Sequence, residues 1–129
     1  MCFCCFYKKS NSFAGSTRFY NILSNQKTLE IGYTWYGKNF QGTGLNKNCK
    51  YLLLEFAFEK LLIERVGFIA DFENKKSIAA MKSIGCKEEG ILRSNIFKKD
   101  GTRRDSIVLS ILKNEWSEDV KQKLNIRII

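Results

Sequence analysis

The sequence has no histidine and no proline, and among its five cysteines only Cys2 and Cys5 stand at C-x-x-C spacing. Zinc sites are built from cysteine and histidine at short fixed spacings, so the usual ligand set is missing. Cys2, Cys4 and Cys5 are close enough in sequence to suggest a chelate for a soft metal. In a β-strand, however, alternate side chains leave on opposite faces, which sends Cys2 and Cys4 one way and Cys5 the other. An odd number of thiols fits a reducing compartment. Long apolar runs are missing too. Nothing approaches the roughly 20 apolar residues of a membrane-spanning helix, and Met1 to Tyr7 lacks the basic start and apolar length of a signal peptide. These absences lead us to expect a soluble cytoplasmic protein.

What is present describes one folded domain over residues 1–129. Hydrophobic residues make up 44% of the 129, enough to bury a core, and the absence of proline with a high aromatic content points the same way. Lysine and arginine number 22 against 13 acidic residues, a net charge of +9. Such a balance favours an anionic partner, whether nucleic acid, lipid surface or phosphorylated cofactor. The basic residues are spread along the chain in no long block and adjoin at most in pairs, as at Lys8-Lys9, Lys75-Lys76, Lys98-Lys99 and Arg103-Arg104. A solvated surface accounts for most of them, and a cofactor phosphate would use only a few.

Cys2 to Tyr7 reads as a strand, the polar run Lys8 to Ser12 as a turn, and Ala14 to Ile22 as the returning strand of a hairpin. Thr28 to Tyr36 alternates with β-branched and aromatic residues and makes a third strand. After a glycine-bearing loop, Leu45, Cys49, Leu52, Leu53, Phe56 and Leu61 fall at helical spacing. Arg65 to Ala70 is a short strand. Asn74 is placed to cap a second helix running to Ile84, with Ile78, Met81 and Ile84 inward and Gly85 as the stop. Cys86 to Phe97 and Arg104 to Leu112 are two more strands, and Glu115 to Leu124 reads as a polar surface helix. The order β-β-β-α-β-α-β-β is an α+β sheet domain without an internal linker.

Gly42 and Gly44 stand between a strand and the start of a helix. Amides there have no partner inside the helix, and the helix dipole adds a favourable field for an anion. The dipole is worth only about 0.3–1 kcal/mol at an exposed end. Charge-assisted N–H bonds, at roughly 1.5–3 kcal/mol each, would dominate. Leu45-Asn46 does not supply the Gly-Lys-Ser/Thr end of a Walker loop. Lys47 replaces the third glycine of a dinucleotide fingerprint, and the strands before the loop are antiparallel. Alone, the Gly-x-Gly does not separate an anion site from a plain tight turn.

The segment Gln41-Gly42-Thr43-Gly44-Leu45-Asn46 resembles the Arg/Gln-x-x-Gly-x-Gly/Ala pyrophosphate loop of the GNAT acetyltransferases. Leu29 to Trp35, Ala57-Phe58-Glu59, Arg65-Val66, Asp71 with Asn74 and Ser77, Ile84-Gly85, Glu89 to Arg93, Arg104-Asp105, Ser110 to Leu112 and Glu115-Trp116 extend the likeness, which is to the RimJ/RimL-like branch. It runs from Ala14 to Trp116. The resemblance implies a mixed, mostly antiparallel sheet flanked by helices, whose third strand splays from a parallel neighbour to admit pantetheine. It implies acetyl-CoA as co-substrate and direct transfer to a primary amine, either a protein N-terminus or a small molecule. Trp35 and Tyr36 would hold pantetheine, and Gln41, Gly42, Thr43, Gly44, Leu45 and Asn46 the pyrophosphate. Asn74 and Ser77 would reach the pantetheine arm, although Asn74 is equally explained as an N-cap.

Direct transfer needs a neutral amine, and Glu30 resembles a glutamate that serves as base in some of these enzymes. A surface strand glutamate paired with a lysine is the plainer reading. Asp71 is the second carboxylate, and Arg93, Arg104 and Asp105 are candidates for substrate contacts or for structural ion pairs. Three positions depart from the family pattern. Asn46 closes the loop in place of Gly or Ala. Met81 stands where many members carry a tyrosine that protonates the leaving thiolate. The strand and two helices that usually precede the Cys2 strand have no counterpart, which implies a truncated domain with an exposed apolar sheet face, open to self-association. Two further readings stand beside the enzyme: a non-catalytic acyl-CoA-binding remnant, and a basic nucleic-acid-binding domain supported by charge alone.

Overall fold

The computed structural model describes residues 1–127. One sheet of six strands has the order β1-β2-β3-β4-β6-β5. The strands are β1 (Cys2–Tyr7), β2 (Ser12–Leu23), β3 (Thr28–Tyr36), β4 (Arg65–Asp71), β5 (Lys87–Phe97) and β6 (Arg103–Leu112). Neighbours run antiparallel except β3 and β4. A parallel pair needs a crossover, and here it is α1 (Leu45–Glu55), continued by the π-helical turn Phe56–Lys60. A second helix, α2 (Lys75–Ser83), follows β4. The element order read from the sequence is the one observed.

Alternation decides which face of the sheet is covered. Leu29 and Ile31 on β3, Val66, Phe68 and Ala70 on β4, and Ile107, Leu109 and Ile111 on β6 all point one way and are at most 6% exposed. They form one core with Leu53 and Leu54 of α1, Ile78 of α2 and the C-terminal helical segment. Each such Leu, Ile or Phe contributes about 1.5–3 kcal/mol by leaving water. On the first strand the same rule leaves Cys2 and Cys4 exposed and Cys5 buried. The opposite face is polar at its centre, where Glu89 accepts from Ser110 Oγ at 3.0 Å and pairs with Arg65 at 2.6 Å. Exposed large apolar residues include Tyr33 and Trp35 on β3 and Ile91 and Leu92 on β5.

Two expectations are corrected. The predicted stripe of α1 is rotated: Leu45 and Leu53 are buried, but Leu52, Phe56 and Leu61 are 63%, 37% and 39% exposed. The buried face runs instead through Lys50, Leu53, Leu54 and Ala57. A lysine inside the stripe disguises it from any reading of apolar periodicity.

The tail is not merely a surface helix. It comprises α3 (Lys113–Glu115), a π-helical stretch Trp116–Val120 and α4 (Lys121–Arg127). Trp116, Val120 and Leu124, four residues apart, are 1%, 4% and 2% exposed. The Trp116 ring stacks 5.8 Å from Phe58, and its Nε1 donates to Glu59 at 2.9 Å. Lys121 holds the same carboxylate at 2.7 Å. These contacts pin the tail to the π-helical turn that continues α1. No described helix is long and apolar enough to cross a membrane.

Candidate functional site

β3 and β4 stay paired only at Thr28↔Arg65, Leu29↔Val66 and Glu30↔Gly67. Beyond Glu30, β3 bonds to β2 alone and β4 to β6 alone. The parting has a local cause. Tyr33 takes φ +52°, and the β2–β3 register shifts between Ser16 and Arg18, the signature of a bulge that bends the strand. Gly32 lies against the Tyr20 ring, where a Cβ would meet a ring carbon at 2.7 Å. The opening forms a cleft of about 690 Å³ between Ile31–Tyr36 and Phe68–Asp71.

At the wide end of the cleft lies the glycine loop. Gly44 is the N-cap of α1 at φ +84°, with no side-chain cap and no acidic residue in the first turn. Gly42 has φ +75°. A Cβ at either glycine would meet open space, so the backbone angle rather than crowding demands glycine here. The one hydroxyl in the loop, Thr43 Oγ1, turns back to the Phe40 carbonyl at 2.6 Å. Among the described residues no acceptor meets the amides of Gly42 to Lys47, the first following amide to be bonded being Asn48 to Gly44. These are unspent donors at a helix N-terminus, with nothing negative beside them.

The predicted binding residues divide between the cleft and its support. Trp35, Tyr36, Gln41, Gly42, Asn46, Asn74 and Ser77 line it. Thr43, Gly44 and Leu45 do not; Leu45 is 5% exposed and anchors the loop to the protein, leaving only backbone to offer. Gln41 Nε2 donates to the Tyr36 carbonyl at 3.2 Å, tying loop to strand. Asn74 caps α2, its Oδ1 accepting from the Ser77 amide at 3.2 Å, while it also faces the cleft. The cap and the cleft-lining role therefore coexist geometrically. Met81 lines the cleft as well.

Glu30 stands at the vertex, the last paired residue before the strands part. It leaves the face opposite the core, and the Asn21 amide donates to its Oε2. No lysine pairs with it among the described residues. Tyr20, its cross-strand partner, packs edge-on to Tyr33 at 5.1 Å. Burial first, and then the Glu30 charge, push the Tyr20 phenol up to about 12. Asp71 sits at the far end of β4, about 13 Å from Gly67 at the usual rise per residue. Its carboxylate accepts the Glu73 amide at 2.9 Å and lies 3.7 Å from Lys98. Arg104 lines the cleft. Asp105 accepts the Ser94 amide at 2.7 Å, and Arg93 is solvent-exposed on β5.

Lys50 is the cleft residue that periodicity missed. It is 6% exposed, and its Nζ donates to Thr34 Oγ1 at 3.2 Å. Burial pushes its ammonium down from the usual 10.5 to about 8, against a smaller opposing effect from Cys49, Cys5 and Cys86. Its position four residues after Asn46, on the same helix face, was the available signal. The Tyr36 hydroxyl is buried without a hydrogen-bond partner among the described residues, and burial pushes its phenol strongly upward.

Comparison with known proteins gives concordant matches. The family profile described as "Acetyltransferase (GNAT) domain" matches residues 1–87. YdaF of Bacillus subtilis (strain 168), provisionally named a ribosomal N-acetyltransferase, is 35% identical over 105 residues, covering 81% of this chain and 56% of its own. A crystal structure from T. thermophilus, provisionally named an acetyltransferase, shares 41% identity at a TM-score of 0.85, covering 92% of this chain and 62% of that one. A GCN5-related N-acetyltransferase from Brucella melitensis superposes at a TM-score of 0.93 with 26% identity, covering 98% and 56%. The chain spans between 53% and 61% of the length of the curated relatives it matches.

Proposed function

The chain belongs to the GNAT acetyltransferase family, and on that premise we propose that it transfers an acetyl group from acetyl-CoA to a primary amine. The observation that carries this reading is the parting of β3 from β4 after Glu30 and Gly67. It leaves one backbone edge of β3 free for pantetheine amides, in a cleft that ends on the unspent amides of Gly42 to Lys47. A long ligand with amides along its arm and a pyrophosphate at one end fits that sequence of donors and acceptors.

In this reading Gln41 to Asn46 hold the pyrophosphate, and the backbone near Trp35 and Tyr36 holds pantetheine. Asn74 offers its amide to the arm while its oxygen caps α2, and Ser77 supports it. The bound thioester supplies an activated acetyl carbon. Glu30, at the vertex, takes the proton that the attacking amine must lose, directly or through water. The Tyr20–Tyr33 pair and Arg104 wall the approach. The acceptor class is a protein N-terminus or a small amine, the former supported by the name of the Bacillus subtilis relative. The motif residues support placement in the RimJ/RimL-like branch, acting in the cytoplasm.

Titration of the chain with acetyl-CoA by calorimetry tests the reading; undetectable heat at millimolar ligand sinks it. Gly44→Val should weaken that binding by at least about tenfold, or about 1.4 kcal/mol. A β-branched residue at φ +84° forces the loop out of shape and scatters the amides. Unchanged affinity in this variant would dissociate the loop from the ligand. A second reading, acyl-CoA binding without turnover, is favoured by Met81, which lines the cleft where a proton donor to the leaving thiolate is otherwise expected. Saturable binding with no thiol release over a panel of amines and peptides would select it.

A further inference from the structure

Lys50 is a buried charge for which packing gives no reason. Its side chain is 6% exposed, and among the described residues its Nζ meets one acceptor, the Thr34 hydroxyl, and no carboxylate. An ammonium carries three donors, and burying it without an anion is costly. A leucine or methionine would fill the stripe between Asn46 and Leu54 more cheaply.

The side chain is aimed at the ligand end of the cleft. Asn46 and Lys50 are one turn apart on the same face of α1, and both line the cleft. Helical side chains lean toward the N-terminus, so the Lys50 stem carries its amine back toward the loop amides. Thr34, which receives it, is two residues before Tyr36 on the free edge of β3. We propose that Lys50 is a cation of the acyl-CoA cleft, held in its wall to meet the anionic ligand, and that ligand binding draws a proton onto it. The inference rests on the acetyl-CoA reading of the cleft.

The neighbours leave this role open to Lys50. On the core side its ionisable neighbours are the thiols of Cys49 on α1, Cys5 on β1 and Cys86 before β5. Burial pushes Cys5 up to about 11 and Cys86 to about 12, so both stay neutral. The Tyr36 phenol on β3 is likewise pushed up by burial. Of the charged groups lining the cleft, Asp71 on β4 lies 3.7 Å from Lys98, and Lys76 on α2 and Arg104 on β6 are cations.

Because the free ammonium is lowered to about 8, a sizeable fraction is neutral amine at that pH. A bound phosphate favours the charged form and raises the value. Well below pH 8 Lys50 is protonated with or without ligand, so binding exchanges no proton. Between the free and bound values binding takes a proton up, and affinity falls as pH rises through about 8.

The test is calorimetric titration of the chain with acetyl-CoA, which has no free thiol, below, near and above pH 8 in buffers of different ionisation enthalpy. Net uptake should be absent at the acid end and approach one proton per site above pH 8. Lys50→Met should bind about tenfold more weakly, about 1.4 kcal/mol, without that pH-dependent uptake, and should melt no lower than the wild type. Wild-type binding without uptake near pH 8 overturns the proposal and needs no variant, so a misfolded Lys50→Met leaves it decidable. Equal affinity of the two proteins overturns it as well. Absence of binding at every pH is a different failure, that of the acetyl-CoA reading, and the proposal falls with it.

Discussion

Trp116→Ala is expected to lower the free energy of unfolding by about 3–5 kcal/mol, the usual cost of emptying a large aromatic site in a core. Trp116 is 1% exposed, stacks on Phe58, and lies 5.6 Å from the Tyr51 ring. It also donates to Glu59 at 2.9 Å, the carboxylate that Lys121 holds from α4. One substitution therefore opens a cavity, removes a charge-assisted hydrogen bond and loosens the tail from the crossover. A loss of this size is a large part of the roughly 5–15 kcal/mol available to a domain. Urea denaturation followed by circular dichroism measures it. Trp116→Phe should recover most of the packing but not the Glu59 bond. A loss below about 1 kcal/mol for the alanine variant would mean that the tail does not help hold the domain together.

Glu30→Gln should reduce turnover by about 10²- to 10⁴-fold, the range ascribed to a positioned general base. Glutamine keeps the size of the side chain and an oxygen for the Asn21 amide, so the vertex should survive. Acetyl-CoA affinity should change little, because Glu30 lies outside the residues lining the cleft. The readout is thiol release with a panel of amines and peptides, compared with calorimetric binding of the same two proteins. Equal turnover would remove Glu30 as the base. Asp71 is then the next candidate, although it lies at the mouth of the cleft rather than the vertex and is already engaged by Glu73 and Lys98.

The strands were legible because alternation is a local property. The bounds of the third strand, Thr28 to Tyr36, follow from β-branched and aromatic residues alone. Asn74 is readable as an N-cap because capping is a contact of a residue with its own next turn, here Ser77. The glycine loop is legible for the same reason, since a positive φ at a helix start is written in glycine. The face of α1 is not legible. A buried lysine replaces an apolar residue in the stripe, and apolar periodicity then points to Leu52 and Phe56 on one side of it. Nor is the tail, where a single line of Trp116, Val120 and Leu124 carries the burial amid charged neighbours.

By itself, then, the sequence determined the order of strands and helices, the left-handed glycines of the loop and the cap of α2. Each of these depends on neighbours within a few residues along the chain. Tertiary structure decided what the loop could serve. The unspent amides of Gly42 to Lys47 have somewhere to point only because β3 bends at Tyr33 and leaves β4 after Glu30. Whether two strands stay paired depends on a bulge in one and on what each bonds to on its other side. That is a relation between distant segments, and no periodicity within either strand encodes it.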